Sequence, residues 1–110
     1  MKFTFEYFDQ KLERAILALP PQSKAKFLAI LKRLCECGPD VQRLPHIRYM
    51  TDGLWEIRAI AADGSCRVFY CWIGTETFVL LHCFLKKSQE TPKHELDKAL
   101  RRMKEVKNGK

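Results

Sequence analysis

The stretch that decides the fold is residues 53–87, which read GLWEIRAIAADGSCRVFYCWIGTETFVLLHCFLKK. Three segments of this stretch have the length and apolar content of β-strands: Leu54 to Ala61, Cys66 to Ile73, and Thr77 to Leu85. Asp63-Gly64 has the turn chemistry of a tight hairpin, and residues 74–76 supply a second turn. The stretch therefore predicts an antiparallel β-meander.

Residue parity separates the two faces of this predicted sheet, because successive side chains of a strand point to opposite sides. Glu56 and Arg58 share one face of the first strand, and Arg67 and Phe69 share one face of the second. The alternate residues of the first strand are apolar and should face the core: Trp55, Ile57 and Ala59. If the turn pairs Arg58 with Arg67, two guanidinium groups converge on an open face that no helical layer covers. Such a pair of like charges needs an anion.

The N-terminal half predicts one more strand and two helices. Apolar and polar residues alternate over residues 3–7, which indicates a strand that joins the meander. Asp9 stands where a helix N-cap is expected, and the apolar stripe after it stops at the proline pair 20–21. A second apolar stripe follows and ends at Gly38. The two helices should form an αα-hairpin.

The segments beside the meander complete the predicted fold. Residues 41–52 contain Pro45 and have no sustained period, so we expect a loop there. Thr91 and Pro92 suit the N-cap and the first residue of a third helix with basic residues toward its end. The order β-α-α-β-β-β-α predicts one α+β domain over residues 1–110.

The composition favours a globular domain with an anionic partner. Of its 110 residues, 46% are hydrophobic and 30% charged, and 20 Lys and Arg against 13 Asp and Glu give a net charge of +7. Nucleic acid is the commonest polyanion, although a solvated basic surface is the alternative on charge alone. No apolar run is long enough to span a bilayer and no secretion signal is evident, so we expect a cytoplasmic protein whose five cysteines are reduced.

Neither the cysteines nor the histidines have metal-ligand spacing. Cys35 and Cys37 lie about 200° apart around a helix, and Cys66 and Cys71 face opposite sides of a strand. We therefore expect no metal and no small-molecule cofactor. His82 lies within the third strand, where a hydrogen-bonded, half-buried imidazole is favoured over a general base.

The cations on the predicted sheet are the candidate catalytic residues. Arg58, Arg67, Lys86 and Lys87 are brought together by the fold alone, and fixed cations can stabilise the transition state of phosphoryl transfer. Phe69 could stack a nucleic-acid base on the Arg67 face, and simple packing beneath arginine side chains is an equal alternative.

Several segments resemble one family. GLWEIR at 53–58, CRVFY at 66–70 and FLKKSQETP at 84–92, followed by a closing helix, resemble the HigB-like branch of the RelE/ParE toxin superfamily, phage-derived host-toxicity proteins. The resemblance covers nearly the whole chain from the αα-hairpin onward. It implies a RelE-like fold and the toxin of a type II toxin–antitoxin module, held inactive by a helix-turn-helix antitoxin.

The resemblance also implies an activity and site residues. Many relatives are endoribonucleases that cut mRNA in the ribosomal A site. By this resemblance Arg58 and Arg67 occupy basic positions of the family's sheet, and Lys86 or Lys87 occupies the position of a phosphate-contacting cation. Glu56 stands where RelE has a lysine. The implied catalytic set comprises these five residues, with Glu56 or His82 as a weak base, and RNA contacts are expected from Arg48, Phe69 and Lys93. The rival hypothesis is a non-enzymatic module, either a ParE-type gyrase inhibitor or an operator co-regulator.

Overall fold

A computed structural model describes residues 2–86 and 91–109. Its elements in chain order are β1 (Thr4–Tyr7), α1 (Gln10–Leu17), α2 (Pro21–Cys37), a 3-10 segment (Gly38–Arg43), β2 (Ile47–Thr51), β3 (Leu54–Ala61), β4 (Gly64–Trp72), β5 (Thr77–Leu85) and α3 (Lys93–Lys107). This order confirms the predicted α+β fold and adds one strand, β2. In the described ranges, no helix combines the length and the apolar character that crossing a membrane requires.

The described strands form one sheet in the order β1-β5-β4-β3-β2. Strands β2 to β5 pair antiparallel with their neighbours, and β1 adds to β5 in parallel. The predicted meander and the N-terminal addition are therefore confirmed. The expected loop over residues 41–52 is wrong for Ile47–Thr51, which pairs with β3. Pro45 is no obstacle, because it precedes the strand and removes no hydrogen bond from its ladder.

The αα-hairpin of α1 and α2 covers one face of the sheet. Buried side chains of both helices pack against the apolar face of β3 and β4. The helices contribute Leu12, Ile16, Phe27, Leu31 and Leu34, and the strands contribute Ile57, Ala59, Val68 and Tyr70. Each large apolar side chain buried in this way stabilises the fold by about 1.5–3 kcal/mol before entropy is counted. This packing makes up the larger of the two hydrophobic clusters.

Helix α3 covers part of the opposite face, which corrects the expectation of an open surface. Ala99 and Met103 pack in a second cluster with Phe69 of β4. Arg102 fastens the helix, since its Nη1 donates a hydrogen bond of 2.7 Å to the Leu81 carbonyl. Its guanidinium also lies 4.6 Å from the centre of the Phe8 ring. The face is therefore divided between an apolar part under α3 and the part that carries the arginines.

Two helix starts show how local and distant residues share the capping of α1 and α2. Asp9 accepts a hydrogen bond of 2.8 Å from the Leu12 amide, which confirms it as the N-cap of α1. The start of α2 is capped from the β3–β4 turn, where the Asp63 carboxylate accepts from the amides of Gln22 and Ser23 at 2.6 and 3.0 Å. Against some desolvation, these bonds lower the pKa of Asp63. The turn residues are Ala62 and Asp63, one position earlier than expected.

Candidate active site

The β3–β4 register brings the predicted arginines together. Arg58 and Arg67 are direct cross-strand partners, so their side chains leave the sheet on the same face. The predicted pairing of the two arginines is thereby confirmed. Arg48 of β2 pairs with Glu56 in the neighbouring row on this face. Strand β2, which the sequence analysis treated as a loop, thus adds a third arginine.

A buried carboxylate lies among these arginines. Glu56 has no exposed surface, and its Oε1 lies 3.9 Å from Nε of Arg67. Its Oε2 accepts a hydrogen bond of 3.2 Å from the Thr91 hydroxyl. Within the described residues, Oε1 of Glu56 and the Nε atoms of Arg58 and Arg67 lack hydrogen-bond partners. In the described part of the chain, the guanidinium groups of Arg48, Arg58 and Arg67 outnumber the carboxylate of Glu56.

Arg67 is more buried than expected. It is only 4% exposed, and its Nη1 donates a hydrogen bond of 3.0 Å to Ser65. Desolvation lowers the pKa of Arg67 and the nearby Arg58 adds to this effect, while Glu56 opposes it. Arg67 is thus a buried charge beneath the surface, whereas Arg58 is half-buried and Arg48 is exposed.

Lys86 joins the same group at the end of β5. Its amide donates a hydrogen bond of 2.7 Å to the Ser65 carbonyl, which holds the end of β5 against β4. Burial lowers the pKa of the Lys86 ammonium, Arg67 lowers it further, and Glu56 opposes the shift. Lys86 is 9% exposed. Lys87, the other predicted cation of this segment, lies outside the described residues.

We define the cation cluster as Arg48, Arg58, Arg67 and Lys86 together with the buried Glu56. Strands β2, β3 and β4 and the residue after β5 supply it, and Thr91 before α3 touches it through Glu56. The sequence analysis expected Thr91 to cap α3, but Pro92 occupies the N-cap and no side chain caps it. Ser65 and Thr91 are the contacts that sequence reasoning missed. The β-branched and aromatic residues of IRYMT, namely Ile47, Tyr49 and Thr51, were the available signal for β2.

Two predicted RNA-binding residues lie outside this cluster. Phe69 is completely buried, with its ring 5.8 Å from Phe84 and 6.5 Å from His82. The buried ring offers no face on which a base could stack, and it packs with Ala99 and Met103 under α3 rather than beneath arginine side chains, which was the alternative. Lys93 is exposed and forms a 2.9 Å ion pair with Asp97 on the same helix. Such an exposed pair is weak and leaves the ammonium accessible.

Neither proposed base is accessible to a substrate. Glu56 is fully buried between Arg67 and Thr91. His82 is 8% exposed and so more buried than predicted, and its Nε2 lies 2.6 Å from Oε1 of Glu95, which confirms the predicted hydrogen bond of the imidazole. Desolvation lowers the pKa of His82 although Glu95 opposes the shift. Glu56 acts on the arginines, and His82 ties β5 to α3.

Four of the five cysteines are buried or partly buried, and Cys37 is exposed. Burial raises the pKa of Cys71 and Cys83 to about 11 and also raises that of Cys66, so little thiolate forms at neutral pH. In the ranges 2–86 and 91–109, no group of three or more potential metal ligands is found. The cation cluster is therefore the arrangement in this part of the chain with evident chemistry.

A comparison with protein families places the chain in one family. Residues 14–104 match the model of the family described as Phage derived protein Gp49-like (DUF891). The match includes β2 to β5 and most of α3, and the chain belongs to this family of RelE-like, toxin-type proteins. No curated protein matches the chain.

Proposed function

We propose that this protein is the toxin of a type II toxin–antitoxin module and that it cleaves mRNA on the ribosome without a metal ion. The observation that carries the proposal is the cation cluster, in which three arginines from three strands converge around one buried carboxylate. Membership of the Gp49-like family supports it. A helix-turn-helix antitoxin is the proposed partner, and it would silence the toxin by covering this face.

The cluster suits attack by the RNA's own 2′-hydroxyl. That hydroxyl is held beside the phosphate and has a large effective concentration. Fixed cations stabilise the negative charge that develops on the phosphorane. The 2′-hydroxyl gives its proton to water as its oxygen bonds to phosphorus, and the bond to the 5′-oxygen breaks while that oxygen takes up a proton from water. The products are a 2′,3′-cyclic phosphate and a 5′-hydroxyl.

Exposure divides the roles within the cluster. Arg58 and Arg48 reach the surface and contact the phosphate in this proposal. Arg67 and Lys86 lie beneath and contribute positive potential at short range. In this proposal Glu56 does not act as the expected general base. Its negative charge holds Arg67 in place and offsets the repulsion between the neighbouring cations. It is a positioning residue.

Induction of the protein, followed by mapping of RNA 5′ ends, tests the proposal. Arg58→Ala should lower the cleavage rate by roughly 10²–10³, the usual cost of removing one preorganised group from such a site. Arg101→Ala is the matched control, since Arg101 is exposed on α3. Full activity of Arg58→Ala at equal protein level would remove Arg58 from the site. Growth arrest without RNA cleavage would favour the gyrase-directed or co-regulator alternative.

The chemistry of the cut tests the mechanism separately. Replacing the ribose at the cleaved position by 2′-deoxyribose should abolish cleavage and leave binding intact, because the nucleophile is then missing. Product ends are identified by their response to polynucleotide kinase and phosphatase. A 5′-phosphate product, or cleavage of the deoxy substrate, contradicts internal attack and indicates hydrolysis by water.

A further inference from the structure

A groove separate from the cation cluster lies between α2, the 3-10 segment and β2. It has a volume of about 230 Å³. Its lining is mainly apolar and comes from Ala29, Ile30, Val41, Leu44 and Ile47. Lys26, Arg33 and His46 add cationic or imidazole side chains at the rim. None of these lining residues is acidic. The groove faces the αα-hairpin side, because Ile30, Val41 and Ile47 belong to the hydrophobic cluster on that side.

Two cationic residues of α2, Lys26 and Arg33, line the groove. Lys26 and Arg33 are seven residues apart, which is about two helical turns or roughly 10 Å along the axis. Both are exposed, and Ala29 lies exposed between them. Nζ of Lys26 donates a hydrogen bond of 2.8 Å to the Ile60 carbonyl, which fixes the ammonium at its end of the groove and leaves other donors available.

We propose that this groove binds an acidic amphipathic helix of a partner protein. An apolar side chain of that helix enters the groove, and carboxylates about seven residues apart meet Lys26 and Arg33. Charge complementarity selects the partner, because the lining offers positive charge at its rim and apolar atoms on its floor. The floor lacks Phe, Tyr and Trp, on which the bases of single-stranded RNA would stack, so the chemistry favours protein over RNA.

The groove is coupled to the cation cluster through β2. Ile47 lines the groove, and the next residue, Arg48, points to the other face and pairs with Glu56. The carbonyl of His46, another lining residue, accepts a hydrogen bond of 2.7 Å from the Arg58 amide. An occupied groove therefore contacts the strand that carries Arg48 without covering the cations. This inference does not depend on the proposed RNA cleavage.

The test uses the full chain and a fluorescent helical peptide of about 16 residues with Leu flanked by Glu residues seven apart. We expect Ala29→Glu to weaken peptide binding roughly tenfold or more in fluorescence anisotropy, because it places a carboxylate between the two cations. Ala15→Glu is the matched control on an exposed position of the neighbouring helix α1, outside the lining. It makes the same change in net charge and should alter affinity less than about threefold.

Two further measurements separate a specific groove from general attraction to a basic protein. Replacing the peptide's Leu by Ala should weaken binding roughly tenfold, the value of one buried apolar side chain. Amide shifts in NMR spectra should concentrate at Ile30, Leu44 and Ile47. Equal losses for Ala29→Glu and Ala15→Glu, no binding to the wild type, or displacement of the peptide by a short single-stranded RNA would each overturn the proposal. These outcomes can be told apart from a failure of RNA cleavage, which the peptide experiment does not measure.

Discussion

The hairpin face and the α3 face of the sheet are built from alternate residues of the same strands, but they bury different kinds of side chain. On the hairpin face, Ile57 and Val68 are buried in a continuous apolar cluster. On the other face their neighbours Glu56 and Arg67 are equally buried but charged. Burial of apolar side chains stabilises the fold, whereas burial of charges costs free energy that the rest of the molecule must offset. The comparison therefore shows that burial is unfavourable on the α3 face, which is the face that carries the cation cluster of the proposed function.

The largest expected effect separates the two faces by stability. Phe27→Ala removes a completely buried ring from the hairpin face and should lower the free energy of unfolding by about 3–5 kcal/mol. Arg58→Ala, on the other face, should change it by less than about 1 kcal/mol, because the side chain is only half-buried. Urea unfolding followed by tryptophan fluorescence measures both. Equal losses would mean that the arginines support the fold as much as the apolar core does.

An intermediate effect is expected from Glu56→Gln, which keeps an oxygen for the Thr91 hydroxyl and removes the charge facing Arg67. The loss should be about 2–3 kcal/mol, below the usual cost of breaking a buried ion pair because the Oε1–Nε distance is 3.9 Å. The double variant Glu56→Gln/Arg67→Met should lose less than the sum of the single changes, since no buried guanidinium is then left unbalanced. Additive losses in a double-mutant cycle would show that the two groups do not interact.

The smallest expected effect concerns pH and the apolar part of the α3 face. Burial lowers the pKa of His82 below the 6.5 of an exposed histidine. Glu95 opposes this shift, and the nearby Lys98 and Arg102 lower the pKa further. The unfolded chain therefore binds a proton more readily than the folded one, and stability should fall as pH decreases below about 6.5. His82→Gln, which can still bond to Glu95, should reduce this fall. His46→Gln, at an exposed position, should preserve it, and an unchanged pH dependence in His82→Gln would contradict the assignment.

The sequence alone predicted most of the fold and the shared face of the two arginines, because these follow from local rules. Period-two alternation marks the faces of β3 and β4. The direct pairing of Arg58 with Arg67 depends on the turn at residues 62–63, since a turn at Asp63-Gly64 would place Arg58 opposite Phe69. The N-cap at Asp9 and the end of α2 at Gly38 also depend on residues close in sequence. At Gly38 the backbone φ is +62°, a conformation that favours glycine, and a Cβ would lie 2.4 Å from the Phe3 ring.

The tertiary structure decided what covers the second face and which charges are buried. Helix α3 lies over Phe69, so a ring that parity placed beside Arg67 became core. Thr91, expected to cap that helix, meets Glu56 across 35 residues of sequence, and β2 brings Arg48 beside the same carboxylate. No local pattern encodes these contacts, because they depend on where α3 crosses the sheet and on a cross-strand register. Periodicity assigns side chains to a face, and only the packing of distant elements determines whether that face is open to a partner.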